Sequence, residues 1–250
     1  MNFKVKISIV ILVAINLNAT KLLAQNKSSY EVGFNVGTLI YQGDLTQTAF
    51  GTTKGLKPAI GIFVSKNLDP YFALRANLTI GKIGVDESQF TYPAFKQMRN
   101  FKFTTPVTEI STVLVWNILG ENADRDYRKL SPYVFAGGGI TFLNVNRDWR
   151  KMIISSADSA SKSVLGLGRD TLQATPRLLP ILPLGIGLKY AITENIGIKA
   201  EATYRFAFSD YIDGFSYATN PDTKDRYYGV SIGLSFNLAR NNYKCPTIKE

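Results

Sequence analysis

The chain has 250 residues, 45% of them hydrophobic and 19% charged, and a formal net charge of +10. With no histidine and a single cysteine, Cys245, it excludes a histidine-dependent triad, a histidine-containing zinc site and an intramolecular disulfide. The basic balance does not mark a nucleic-acid binder, because the lysines and arginines are dispersed; loop solubility or an anionic outer-leaflet lipid accounts for the excess.

Met1 to Lys6 carries two lysines, Ile7 to Leu17 is apolar but for Ser8 and Asn16, and Leu22-Leu23-Ala24 precedes Gln25. This pattern predicts a secretory signal peptide over residues 1–24, cleaved after Ala24. The apolar run is too short for a membrane helix, and no other stretch reaches the roughly 18 apolar residues one needs. Loss of Lys4, Lys6 and Lys21 with the signal takes the net charge from +10 to +7. Export removes the usual nucleic-acid partners, and no cysteine near the cut suggests a lipoprotein.

Strand one is predicted over Tyr30 to Tyr41, where Tyr30, Val32, Phe34 and Val36 alternate with Glu31, Gly33, Asn35 and Gly37. Strand two runs from Pro58 to Leu68 and ends in an Asp69-Pro70 turn. In strand three, Phe72 to Ile83, the apolar face of Phe72, Leu74, Ala76, Leu78 and Ile80 opposes Arg75, Asn77 and Thr79. Strand four, Phe101 to Ile118, changes phase near Pro106, which predicts a bulge or a rim segment there. Strand five, Ser131 to Asn144, holds Gly137-Gly138-Gly139; with no Gly-Lys-Ser/Thr after it and no helix pattern, this is strand rather than phosphate loop. The connection from Arg147 to Arg177 is the longest, a length that marks function or disorder.

The clearest element is the hairpin from Leu184 to Phe208, turning at Thr193-Glu194-Asn195. Ile196, Ile198, Ala200, Ala202, Tyr204, Phe206 and Phe208 share one face of its second run, and Lys199, Glu201 and Arg205 share the other. Runs of roughly a dozen residues exceed the about 5 to 6 of soluble strands and suit tilted membrane strands. Charges facing lipid would cost roughly 2 to 4 kcal/mol each near the midplane, so the charged face must point inward. Strand eight is predicted over Tyr227 to Ala239, with Tyr228, Val230, Ile232, Leu234, Phe236 and Leu238 facing out.

These elements predict an all-β protein: a single antiparallel transmembrane β-barrel of about eight strands over residues 25–239, in the cell outer membrane. Long loops are extracellular, short turns periplasmic, and residues 240–250 form a periplasmic tail. Tyr30, Tyr41, Phe72, Trp116, Phe142, Tyr190, Phe208, Tyr227 and Tyr228 are candidates for the aromatic girdles. A soluble carrier barrel is disfavoured, because its apolar face would have to point inward.

Arg75, Glu109, Lys189, Lys199, Glu201 and Arg205 are expected to form an ion-paired plug, since side chains fill the interior of an eight-stranded barrel. Glu109 and Glu201 also suit acid and base work, but neighbouring cations make packing the better reading. No catalytic, cofactor or metal site is expected. In the longest loop Arg147, Arg150, Lys151, Lys162, Arg169 and Arg177 could grip lipid phosphates or a partner, although the interleaved Asp148, Asp158 and Asp170 fit a solvated loop as well. Cys245, in an oxidising compartment beside Lys244, is a candidate for a disulfide to a periplasmic partner, with an idle tail thiol as the alternative.

Tyr41-Gln42-Gly43-Asp44-Leu45, Leu74-Arg75-Ala76-Asn77-Leu78, Arg99-Asn100-Phe101, Ser131-Pro132-Tyr133-Val134-Phe135-Ala136-Gly137 and Ser209-Asp210-Tyr211-Ile212-Asp213 together resemble a family of Bacteroidetes barrels, the PorG-type outer-membrane component of the type IX secretion system. The resemblance spans nearly the whole mature chain. It implies a non-enzymatic barrel that helps export proteins across the outer membrane and associates with a periplasmic ring of a lipoprotein and its partner. The other function class is a general structural or adhesive small barrel of the OmpA or OmpX kind; a lipid-modifying enzyme comes third.

Overall fold

The structure, a computed structural model, describes residues 30–46, 48, 50–92, 94–120, 129–152, 162–193, 195–209, 211–219 and 225–238. The expected signal peptide (1–24) and C-terminal tail (240–250), with Cys245, lie outside the described residues.

Among the described residues nine strands form: β1 (Tyr30–Gln42), β2 (Lys57–Asn67), β3 (Phe72–Asp86), β4 (Lys102–Asn117), β5 (Leu130–Leu143), a short β6 (Asn146–Asp148), β7 (Leu178–Ala191), β8 (Ile196–Ala207) and β9 (Arg226–Leu238). The eight long strands pair antiparallel with their sequence neighbours, β5 pairs with β7, and β1 pairs with β9 from Tyr30↔Leu238 to Gln42↔Arg226, so no long edge is left open. The chain leaves β1, β3, β5 (with β6) and β8 at one end of the barrel, into connections 43–56, 87–101, 144–177 and 208–225, and leaves β2, β4 and β7 at the other, into the shorter 68–71, 118–129 and 192–195.

Alternation along each strand decides what is inside. In β2 the even residues Ile60, Ile62 and Val64 are exposed, while Ala59, Phe63 and Ser65 are buried. The same division puts Phe34, Leu74, Ile110, Leu114, Ile186 and Ile232 on the outer surface. An apolar belt of this extent would aggregate in water and costs nothing in lipid, and closure pairs each long strand on both sides, so its ladders need no water. The chain is therefore an outer-membrane β-barrel.

Inside, three bulky rings lie over a glycine directly across the ladder. Phe63 faces Gly33, Phe135 faces Gly185 and Tyr133 faces Gly187. A Cβ added to any of these glycines would stand 2.2–2.5 Å from ring atoms, so the glycines are the space in which the rings lie.

The structure departs from the sequence reading in four places. β4 has no bulge at Pro106: its register with β3 runs unbroken from Phe72↔Trp116 to Asp86↔Lys102, and burial alternates throughout. The other expectation, a rim segment, holds: what changes near Pro106 is the surroundings, not the pleat. Outward Thr104, Pro106 and Thr108 leave the apolar belt, while inward Phe103 and Val107 enter an apolar core above the lumen. Second, β7 begins at Leu178, six residues before the expected start at Leu184, in spite of Pro180 and Pro183. The β5–β7 ladder skips Gly137 and Gly138, opposite Pro183 and Leu182, which accommodates the missing proline N–H. Third, Tyr41 and Tyr227 are not girdle residues, for both are fully buried inside. Finally, the connection after β5 is not merely irregular: β6 pairs with the β4 extension, and an α-helix occupies Lys162–Leu172.

Candidate functional site: the filled lumen and its cap

The structure places all six lumen candidates on the inner wall, grouped around three carboxylates. Glu201 on β8 accepts from Arg75 Nη1 on β3 at 2.5 Å and from the Tyr133 hydroxyl on β5 at 2.6 Å. Glu109 on β4 accepts from Arg205 Nε on β8 at 2.5 Å, with the Tyr227 hydroxyl at 3.3 Å. Lys199 and Lys189 both turn to Glu31 on β1, at 3.0 and 3.3 Å. Glu31 was absent from the expected network although its inward parity was readable, and so were Tyr133 and Tyr227.

Aromatic faces complete the cation shells. The Arg75 guanidinium lies 4.5 Å from the Phe135 ring centroid and 5.5 Å from that of Phe63, and Lys199 Nζ lies 4.6 Å from the Phe63 ring. Such contacts add to ion pairs most where water is excluded. The lumen retains small cavities, of about 50 and 10 Å³.

Above the lumen the long connections fold into a cap. Helix α1 (Ala94–Arg99) follows a 3-10 turn at Glu87–Gln89, and buried Arg99 makes a two-point ion pair with fully buried Glu87, Nε to Oε2 at 3.0 Å and Nη2 to Oε1. The Phe101 N–H donates to the same carboxylate at 3.0 Å. Lys96 Nζ donates to the carbonyls of Asp44, at 3.1 Å, and Thr46, tying the first long connection to the second. Burial holds its pKa below the usual lysine value, and neighbouring Arg99 acts in the same direction.

The fourth connection closes the centre. Tyr41 donates its hydroxyl toward Asp213 Oδ2 at 2.7 Å and also lies in hydrogen-bond contact with Asp225, whose other oxygen accepts from the Ile212 N–H at 3.0 Å. Phe215 stacks on Phe101 at 4.3 Å, and Trp149 meets it edge-on. Segments around Tyr41, Arg99 and Asp213, far apart in sequence, thus meet in one core.

Helix α2 (Lys162–Leu172) carries the hub of this cap. Fully buried Asp170 accepts the backbone N–H groups of Ser216 at 3.2 Å, Tyr217 at 3.1 Å and Ala218 at 2.9 Å. The Tyr211 hydroxyl reaches it at 3.3 Å, and burial together with this carboxylate pushes the Tyr211 pKa up to about 12. At Gly166 an added Cβ would stand 2.2 Å from the Tyr217 carbonyl oxygen, so only glycine lets the helix come this close.

Three basic residues of this connection are engaged by the cap, while the Lys151 and Arg177 side chains are exposed. Arg147 donates to the Gly214 carbonyl at 2.7 Å, Arg150 pairs with Asp148 at 3.1 Å, and Arg169 lies over the Tyr217 ring at 5.6 Å. The Arg150 guanidinium holds the half-buried Asp148 carboxyl down at about 2. Asp158 lies outside the described residues.

A family model described as a domain of unknown function, DUF6089, matches residues 5–234. No curated protein matches the sequence. Among solved structures, the chain is similar to Ail, the attachment invasion locus protein of Yersinia pestis, in complex with the heparin analogue sucrose octasulfate, at 12% identity and a TM-score of 0.45, over 84% of this chain and 99% of that one. It is similar to Neisserial surface protein A at 14% identity and a TM-score of 0.45, over 83% and 96% of the two chains. The outer membrane protein OprG from Pseudomonas aeruginosa gives 9% identity and a TM-score of 0.43, over 86% and 98%.

Proposed function

The chain belongs to the DUF6089 family, and from that premise we propose that it is a non-enzymatic outer-membrane component of the type IX protein-secretion machinery, seated on a periplasmic ring of a lipoprotein and its partner. The observation that carries this reading is a lumen filled by three carboxylate-centred ion-pair groups beneath a folded cap. A barrel filled in this way conducts no folded cargo, so its working parts are its surfaces. The resemblance of the segments at Tyr41, Leu74, Arg99, Ser131 and Ser209 to PorG-type barrels supports the choice of machine, and the end of the barrel that carries the shorter connections would supply the periplasmic face for the ring.

A clean deletion is expected to trap exported cargo in the periplasm, measured by fractionating cells and assaying cargo in each compartment. Normal secretion in the deletion strain would move the reading to a structural or adhesive surface barrel. That second reading draws on the cap, whose exposed Tyr92, Leu165 and Leu172 offer apolar contacts outside the lipid belt.

The same reading gives Cys245 a role, as the thiol of a disulfide to a periplasmic ring protein. Non-reducing gels of membranes are expected to show a higher-mass band that both reductant and Cys245→Ser remove. Identical patterns in wild type and variant would leave the thiol idle.

A further inference from the structure

From Tyr228 the ladder passes through directly opposed outward residues, Tyr204, Leu184, Ala136 and Leu114, and a full circuit of the wall returns to β9 at Leu238. The circuit comes back farther along the strand it left. Such a row therefore descends the barrel obliquely from the end with the long connections, the extracellular end of an outer-membrane barrel. Along the first half of this row lies an open groove of about 670 Å³, from Tyr228 down to Leu114 and Trp116. Among the described residues no charged side chain lines it, and it lies within the belt that faces lipid.

Two phenols close the upper end of the groove, and both hydroxyls are committed within the protein. The Tyr204 and Tyr228 rings stack at 6.4 Å; Tyr204 donates to Gln42 Oε1 at 2.6 Å and Tyr228 to the Phe50 carbonyl at 2.8 Å. Above Tyr228, on the same outward face of β9, stands exposed Arg226, its guanidinium 5.6 Å from the Phe206 ring centroid. Among the described residues no carboxylate lies within ion-pair distance of it. A recess for an apolar chain thus leads up to a single cation, which is the order of parts in an anionic lipid: tail, then phosphate.

We infer that the groove seats one acyl chain of an outer-leaflet lipid whose phosphate lies on Arg226. The guanidinium fork meets a phosphate at two points, through charge-assisted hydrogen bonds stronger than those it makes with neutral acceptors. A zwitterionic head group brings its own cation, which competes with Arg226 for the phosphate, so the site favours a lipid whose phosphate has no such cation. A partner's membrane segment would fill the groove without using Arg226, whereas the anionic lipid uses both.

Trp149→Phe leaves Trp116, in the groove, as the sole tryptophan. The protein, isolated from membranes, is reconstituted into phosphatidylcholine vesicles and titrated with phosphatidic acid brominated along its chains, and separately with equally brominated phosphatidylcholine. Bromine quenches an indole on contact, and both leaflets hold the probe, so the direction of insertion does not matter. Half-maximal quenching is expected at an about fivefold lower mole fraction of phosphatidic acid than of phosphatidylcholine. Arg226→Gln is expected to remove this preference. Lys82→Gln, which removes an equally exposed outward cation of β3 away from the groove, is expected to keep it. Ala202→Phe fills the groove and is expected to remove the preference with Arg226 in place. Equal quenching by the two lipids would leave Arg226 a cation reaching for water and overturn the assignment. A preference that survives Arg226→Gln or Ala202→Phe, or that Lys82→Gln lowers as much as Arg226→Gln does, would overturn it too, for the lipid would then be held elsewhere or by the general surface charge. Quenching by neither lipid would mean that a second copy of the chain covers the groove, and would equally overturn it. If Ala202→Phe does not fold, the two glutamine variants decide.

Discussion

Replacing Glu201 with alanine is expected to lower the unfolding free energy of the barrel by about 3 to 5 kcal/mol, the usual cost of removing one partner of a buried ion pair. Arg75 would keep its charge, since an arginine does not give up its proton in a protein. It is 2% exposed and enclosed by the Phe63, Tyr133 and Phe135 rings, so water cannot easily replace the carboxylate. The rings offset part of the loss, by about 2 kcal/mol. Tyr133 would lose its acceptor in the same step. Urea unfolding in lipid vesicles measures the change, and unboiled samples of the variant should lose their fast gel mobility at a lower temperature. Glu201→Gln keeps an acceptor and should recover part of the stability. Arg75→Met combined with Glu201→Leu should approach wild type, because both charges leave together. A variant as stable as wild type but unable to secrete would show that Glu201 works in export rather than in packing.

The strands were legible because two solvents act on them: lipid outside and a filled polar lumen inside impose a period of two on every wall residue. Parity also held information that the residue types obscured. Tyr227 shares its parity with inward Gly229 and Ser231, and Tyr41 shares its own with Glu31 and Asn35, yet an aromatic at a strand end suits a girdle equally well. Near Pro106 the reverse occurred, as a change of medium imitated a change of pleat. Which cation meets which carboxylate depends on strand tilt across the barrel, so Glu31 could be placed on the inner face without its two lysines being known. The cap was the least legible part. Its contacts join single side chains to distant backbone, as Asp170 does with residues 216–218, and such contacts leave no periodic trace.

Asp170→Ala is expected to open that cap while the barrel stays closed. Three backbone N–H groups lose their acceptor, and each unsatisfied buried donor costs about 1 to 3 kcal/mol. Because this segment can turn to water, the cap should give way locally instead of carrying the full penalty into the barrel. The variant should be cleaved by protease within residues 211–219 under conditions that leave wild type whole, with unchanged heat-modifiable mobility of the barrel. Cleavage no faster than in wild type would mean that the Tyr41, Asp213 and Asp225 contacts suffice to hold the segment. Raising the pH tests the same joint in the wild type. Tyr211 keeps its proton up to about 12 in the folded cap, against about 10 for an unperturbed tyrosine. A raised pKa means that the folded cap binds this proton more tightly than the open one. The stability that Tyr211 lends is therefore complete below about pH 10 and is lost as the pH climbs toward 12. The chain has two tryptophans, so Trp116→Phe leaves Trp149, packed against Phe215, as the sole reporter. Its emission should shift to the red between about pH 10 and 12 while far-ultraviolet circular dichroism of the barrel stays constant. In the Asp170→Ala background the red-shifted emission should already be present at pH 8.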